Sequence, residues 1–266
     1  MYNKKSSYRF VLMLVLVIAL AAFPASVNAN HSWGKYHWAR TSNPFTLKLG
    51  DNVSTAWDSY LSTASSDWSA STVLNTSVVT GSTTGSTCAP TSGRIEVCNA
   101  NYGSTGWLGV AQIWIARRSH ITQGTAKMND FYFNQAQYNT PAWRRLVMCQ
   151  EIAHDFGLDH QDENFNNANL GSCMDYTGDP DGPPSNEHPN QHDFDQLVSI
   201  YTHLDKFTTV GAAAPADAPS GFANADVHAQ ENWGTKVRES ADGHSALYVR
   251  DFGKGFQVFT FVFWAE

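Results

Sequence analysis

Gln150, Glu151, His154, Gly157 and His160 stand at spacings that leave few local structures open. An α-helix repeats every 3.6 residues, so positions 150 and 154 project from one face and can share an ion. Glu151 lies one step round, where a carboxylate reaches an ion-bound water rather than the ion. Gly157 follows His154 by three residues, and glycine there accepts the left-handed backbone that ends a helix. The chain can then turn back and deliver His160 to the same point. Two imidazoles, a third side chain and an open fourth position compose a catalytic zinc site.

A second short segment, Ser172-Cys173-Met174-Asp175-Tyr176, follows closely. Together the two resemble the metzincin metallopeptidases, whose signature is H-E-x-x-H-x-x-G-x-x-H followed by a Met-turn. Glu151, His154, Gly157, His160 and Met174 match at the family spacing, and Tyr176 matches the astacin and serralysin branches. Gln150 stands where the family has its first histidine. The resemblance spans roughly residues 36–204, with its sharp motifs confined to 150–176. It implies an α+β zincin domain: a twisted mixed sheet with an active-site helix and a C-terminal helix.

The resemblance also implies roles. Gln150, His154 and His160 would hold Zn2+, and Glu151 would act as general base in peptide-bond hydrolysis. Tyr176 would ligate the resting metal or donate to the oxyanion, and Met174 would form a thioether floor. A strand near Gly106 to Ala111 would line the substrate cleft and pair with the peptide. An amide oxygen leaves the site's charge unchanged but is a weaker zinc donor than imidazole. Three outcomes therefore stay open: zinc on Gln150 and both histidines with catalysis retained; a metal on two histidines and waters, with feeble activity; or a secreted, non-catalytic, protease-like binding module.

Lys4, Lys5 and Arg9 precede the apolar run Phe10 to Phe23, and Val27-Asn28-Ala29 fits a small-residue cleavage site. That order reads as a signal peptide over residues 1–29, because the run is shorter than the roughly 20 residues of a membrane span. A secreted, extracellular protein follows, with no stable membrane association once the peptide is removed. The formal charge of −7 argues against nucleic acid as the partner, and a monomer acting on peptide or protein is expected. Export permits disulfides, and the cysteines number four. Cys88 and Cys98 flank a Pro/Ser/Gly turn and would staple it. Cys149 lies about 100° round the helix from position 150. It would therefore bridge to Cys173, tying the helix to the Met-turn, the alternative being a thiolate ligand.

The rest of the domain, residues 30–208, reads as an ordered series of elements. An extended segment runs from Tyr36 to Leu49, broken at Asn43-Pro44. Ser54 to Trp68 carries Trp57, Tyr60, Leu61 and Ala64 at helical spacing, with Ser54 as cap. Strands are expected at Val73 to Thr80, Arg94 to Cys98, Leu108 to Ala116 and Ile121 to Phe133. Thr140-Pro141 opens the active-site helix. Asp179 to Pro184 reads as a solvated turn. A closing helix covers Asp193 to Leu204, with His188 and His192 just before it as distant substitutes for a missing ligand. Residues 209–222 form an Ala/Pro linker, and 223–266 a small β-hairpin or meander that docks on the protease domain or helps bind substrate.

Overall fold

A computed structural model describes residues 31–265 other than 33, 226 and 227. The signal-peptide segment lies outside the described residues. The fold is mixed α+β, built on one large sheet with few helices. Its strands are β1 (His37–Trp38), β2 (Phe45–Asn52), β3 (Leu74–Thr80), β4 (Ile95–Ala100), β5 (Trp107–Ala116), β6 (His120–Asn129), β7 (Thr235–Glu239), β8 (Ser245–Gly253) and β9 (Phe256–Trp264). The helices are α1 (Asp58–Trp68), α2 (Asp130–Phe133), α3 (Pro141–His154) and α4 (Gln191–Ile200). Among the described residues, no helix is long and apolar enough to cross a membrane.

The sheet runs β3-β2-β4-β6-β5-β9-β8-β7, with β1 beside β6. The strands from β3 to β6 are parallel, and everything from β5 onward is antiparallel. β5 and β6 are buried on both faces; β5 is largely apolar, whereas β6 buries Thr122, Gln123, Thr125 and Lys127, and Lys127 Nζ donates to Gln112 Oε1 at 2.8 Å. One face carries the main core, including Trp57, Leu61, Leu146, Val147, Ile152 and Phe261. The other packs Trp114, Phe222, Trp233 and Val258 into a second cluster.

The tail forms the expected strands, and they continue the main sheet. Phe256 to Trp264 pairs along its length with β5 on one side and β8 on the other. Chain 209–212 is bonded to the domain, with Gly211 N–H donating to Gly93 O at 2.8 Å.

Three local expectations are corrected. The first helix begins at Asp58, not Ser54: the Ser54 hydroxyl faces Asn99 Nδ2 at 3.3 Å, and its carbonyl closes a turn onto Trp57 N. Asp130–Phe133 is a helical turn and not strand, because the Asn129 side chain accepts from Phe131 N–H and caps it. The closing helix spans Gln191–Ile200, with Asn190 and Asp193 forming a reciprocal capping box. Leu204 lies beyond its end and is exposed.

Candidate metal centre

Helix α3 starts where sequence predicts: Thr140 accepts from Trp143 N–H at 3.2 Å, and Pro141 takes the first turn. From Leu146 to His154 every residue is buried, so its polar side chains lie inside the protein. The helix ends at Asp155, and Gly157 adopts φ +94°. A Cβ at Gly157 would strike the Tyr36 carbonyl, so glycine is required for space as well as conformation. The turn brings the His160 ring to 4.6 Å from His154, centre to centre, and edge-on.

Three side chains share one pattern. Gln150 Nε2 donates to the Cys173 carbonyl at 2.9 Å, leaving its Oε1 buried with no partner among the described residues. His154 Nδ1 lies 2.9 Å from the Leu158 carbonyl, so it carries the proton and Nε2 carries the lone pair. His160 Nδ1 lies 2.9 Å from Glu163 Oε1, which likewise places the lone pair on Nε2, an atom buried without a partner. In each case the N–H side is tied to the scaffold and the acceptor is left over. Carboxylate and carbonyl partners on ligating histidines fix the tautomer in this way. An amide oxygen and two imidazole nitrogens form a donor set that fits a borderline divalent ion such as zinc.

Glu151 and Tyr176 complete the group. The Glu151 carboxyl sits against Gly109 of β5, where any Cβ would collide with it, and Oε2 is buried without a partner among the described residues. Burial pushes its carboxyl well above the ordinary range. The Tyr176 ring lies 4.4 Å from His160, and its hydroxyl is buried beside Ser245. Burial, then the nearby carboxyl of Glu151, holds that phenol protonated. For His154, burial and then the neighbouring His160 favour the neutral ring, the form that ligates metals. Met174 is fully buried.

Both expected disulfides are present, Cys88–Cys98 and Cys149–Cys173, and no thiol is free. The second joins α3 to the segment that carries Met174 and Tyr176. It excludes Cys149 as a thiolate ligand.

The expected peptide-binding rim is corrected. β5 has no open edge: β6 takes one side and β9 the other. The Phe261 ring stacks on His154 at 4.1 Å with 2° between planes, and Phe263 meets Tyr176 edge-on at 4.7 Å. Arg238 of β7 donates to Asp159 at 2.6 Å and lies 3.4 Å from Glu163, so the tail also grips the loop around His160. Burial works to raise both carboxyls, but Arg238 at Asp159 and the His160 bond at Glu163 outweigh it and hold them low. Gln150, Glu151, His154 and Tyr176 are each 1% exposed or less, and His160 9%.

No protein-family model and no curated protein matches this chain.

His188 and His192 do not join the centre. His188 is exposed and pairs with Asp67 at 2.6 Å, while His192 stacks on His31. Sequence reasoning missed Glu163, Arg238 and Phe261. Glu163 could have been found three residues after His160 in a loop. The other two carry no local signal, since only the seating of the tail brings them here.

Proposed function

We propose that this chain is a secreted zinc-dependent metalloendopeptidase of the metzincin type, with Gln150, His154 and His160 as ligands. One observation carries the reading. Gln150, His154 and His160 are each tied to the scaffold through one polar atom, and two of the acceptors left over, Gln150 Oε1 and His160 Nε2, are buried with no partner among the described residues. Leaving such atoms unpaired costs about 1–3 kcal/mol each, which a ligated cation removes. Zinc held there would polarise a scissile carbonyl and lower the pKa of a bound water toward about 7.

The chain's own groups have separable tasks in this reading. Glu151 takes a proton from the attacking water and returns it to the leaving amine. The Tyr176 hydroxyl, buried beside Ser245, would donate to a developing oxyanion. Glu163 and the Leu158 carbonyl hold the two imidazoles in the ligating tautomer. Met174 and the Cys149–Cys173 bridge keep the floor beneath them rigid. Substrate reaches this centre only when β9 is drawn away from β5.

The covered rim favours a second reading, a protease-like secreted binding module in which the tail permanently seals an inactive centre. The test is zinc content and cleavage of a mixed peptide library by the purified full chain, beside Glu151→Gln. The peptidase reading expects one zinc here, cleavage by the parent, and cleavage lost with zinc kept in Glu151→Gln. Zinc-loaded parent that cleaves nothing, even with the tail loosened by Phe261→Ala, would sink it in favour of the module.

A further inference from the structure

A second cluster of buried donors lies away from Gln150. His31 precedes β1 and is locked in place: its Nδ1 lies 2.9 Å from the Asp159 carbonyl, and Asp159 N–H donates back to the His31 carbonyl at 2.6 Å. Nδ1 therefore carries the proton, and the lone pair is on Nε2. That atom is buried and faces Asp193 Oδ1 at 3.5 Å; neither has a hydrogen-bond partner among the described residues. Asp193 is oriented through its other oxygen, which accepts from Ser172 Oγ and from Asn190 N–H, both at 2.7 Å. The His192 ring stacks on His31 at 4.7 Å, and its Nδ1 is also buried and unpartnered. One ligand atom from each of the three lies within 4.8 Å of the others.

The arrangement is poor as an ion pair and good as a coordination site. His31 is 4% exposed, and its Nδ1 proton is committed to the Asp159 carbonyl, so Nε2 faces Asp193 as an acceptor. Two acceptors then face one another across 3.5 Å, too far for a strong hydrogen bond. Ligands held at 2.0–2.2 Å in tetrahedral geometry stand about 3.3–3.6 Å apart, which matches the 3.5 Å between His31 Nε2 and Asp193 Oδ1, with the His192 ligand atom within 4.8 Å of both. Asp193 is fully buried, and no cationic side chain acts on it among the described residues.

We infer that His31, His192 and Asp193 form a second site for a divalent transition-metal ion of the zinc class. Two imidazoles and one carboxylate supply three ligands, with water in the fourth position. An ion there fastens the segment before β1 to the start of α4. Through Asp159 and Ser172 it also braces the loop before His160 and the segment leading to Met174. The role is structural, and it does not depend on whether the Gln150 centre is catalytic or binds metal at all.

The test uses the full exported chain, freed of metal by a chelator and titrated with Zn2+. Native mass spectrometry counts zinc per chain, and thermal melting reads the stabilisation. His31→Gln and His192→Gln are compared with the parent. Each variant should hold one zinc fewer than the parent and lose most of the zinc-dependent rise in melting temperature. A parent with two zincs falling to one supports both centres. A parent with one falling to none supports this site and removes the other. If the parent binds no zinc, or both variants keep the parent's count, the inference is overturned. His192 is only partly buried, on a helix surface, so His192→Gln reads the same outcome should His31→Gln fail to fold.

Discussion

Phe261→Ala removes the aromatic lid over His154 without touching a ligand. Phe261 is 1% exposed, and its backbone pairs with Ala111 and Leu247, pairings that alanine can keep. The loss is therefore a side-chain loss. Truncating a fully buried phenylalanine costs about 3–5 kcal/mol, comprising transfer and residual cavity. With a urea m-value of about 2–3 kcal/mol/M, the unfolding midpoint should fall by about 1–2.5 M. Phe261→Leu retains most of the volume and should lose about 1–1.5 kcal/mol. Equilibrium urea denaturation followed by tryptophan fluorescence measures both. In the peptidase reading the alanine variant should also cleave peptide faster per folded molecule, since space opens beside His154. A midpoint shift under about 0.3 M would refute the seating of Phe261 on His154. With it would fall the claim that the tail seals the centre.

Other perturbations separate the parts. Replacing both Cys149 and Cys173 by serine opens a loop of sequence separation 24 and should cost about 3.5 kcal/mol; the Cys88/Cys98 pair, separation 10, should cost about 2.7 kcal/mol. Only the first pair should also weaken zinc binding, as read by competition with a chromophoric chelator. Tyr176→Phe should lower kcat with little change in KM, because the hydroxyl is assigned to the transition state. Asp205→Asn strips the carboxylate from Arg40, whose Nη1 lies 3.2 Å away, and should cost about 1–3 kcal/mol at pH 7 given partial solvent access. Burial works to raise Asp205, but the Arg40 N–H and nearby histidines outweigh it and hold it low. A carboxyl lowered by folding stabilises above its unfolded pKa of about 3.9 and loses that contribution as pH falls below it. Urea midpoints between pH 3 and 6 should show this fall in the parent and less of it in Asp205→Asn.

What sequence made legible was local. Thr140-Pro141 marked the start of α3 and Gly157 its end, because each depends on chemistry within a few residues; the cysteine pairing was legible because Cys88 and Cys98 flank one turn, which leaves Cys149 for Cys173. Asn129 shows the limit: an aromatic run after β6 looks like more strand, yet one side-chain cap turns it into helix. Position 54 fails for a similar reason, since the Ser54 hydroxyl is engaged by Asn99, 45 residues away. The alternation of Phe256 to Trp264 announces a strand but not its neighbour. Its pairing with β5 crosses more than a hundred residues, and that pairing decides whether the rim is open. The pairing of Arg238 with Asp159, and the convergence of His31 on Asp193, were hidden for the same reason.

Zinc stoichiometry at Gln150 decides whether this centre holds a metal. Position 150 lies one turn before His154 on the same face, with its Oε1 buried and unpaired. The His192→Gln chain, taken as the parent here, and its Gln150→Ala and Gln150→His derivatives are handled without chelators, so that only this centre is counted. The account predicts one zinc in the parent, none retained in Gln150→Ala, and tighter binding in Gln150→His, where imidazole replaces a weaker amide donor. A parent without zinc, or a Gln150→Ala variant that binds it as tightly as the parent, contradicts the account.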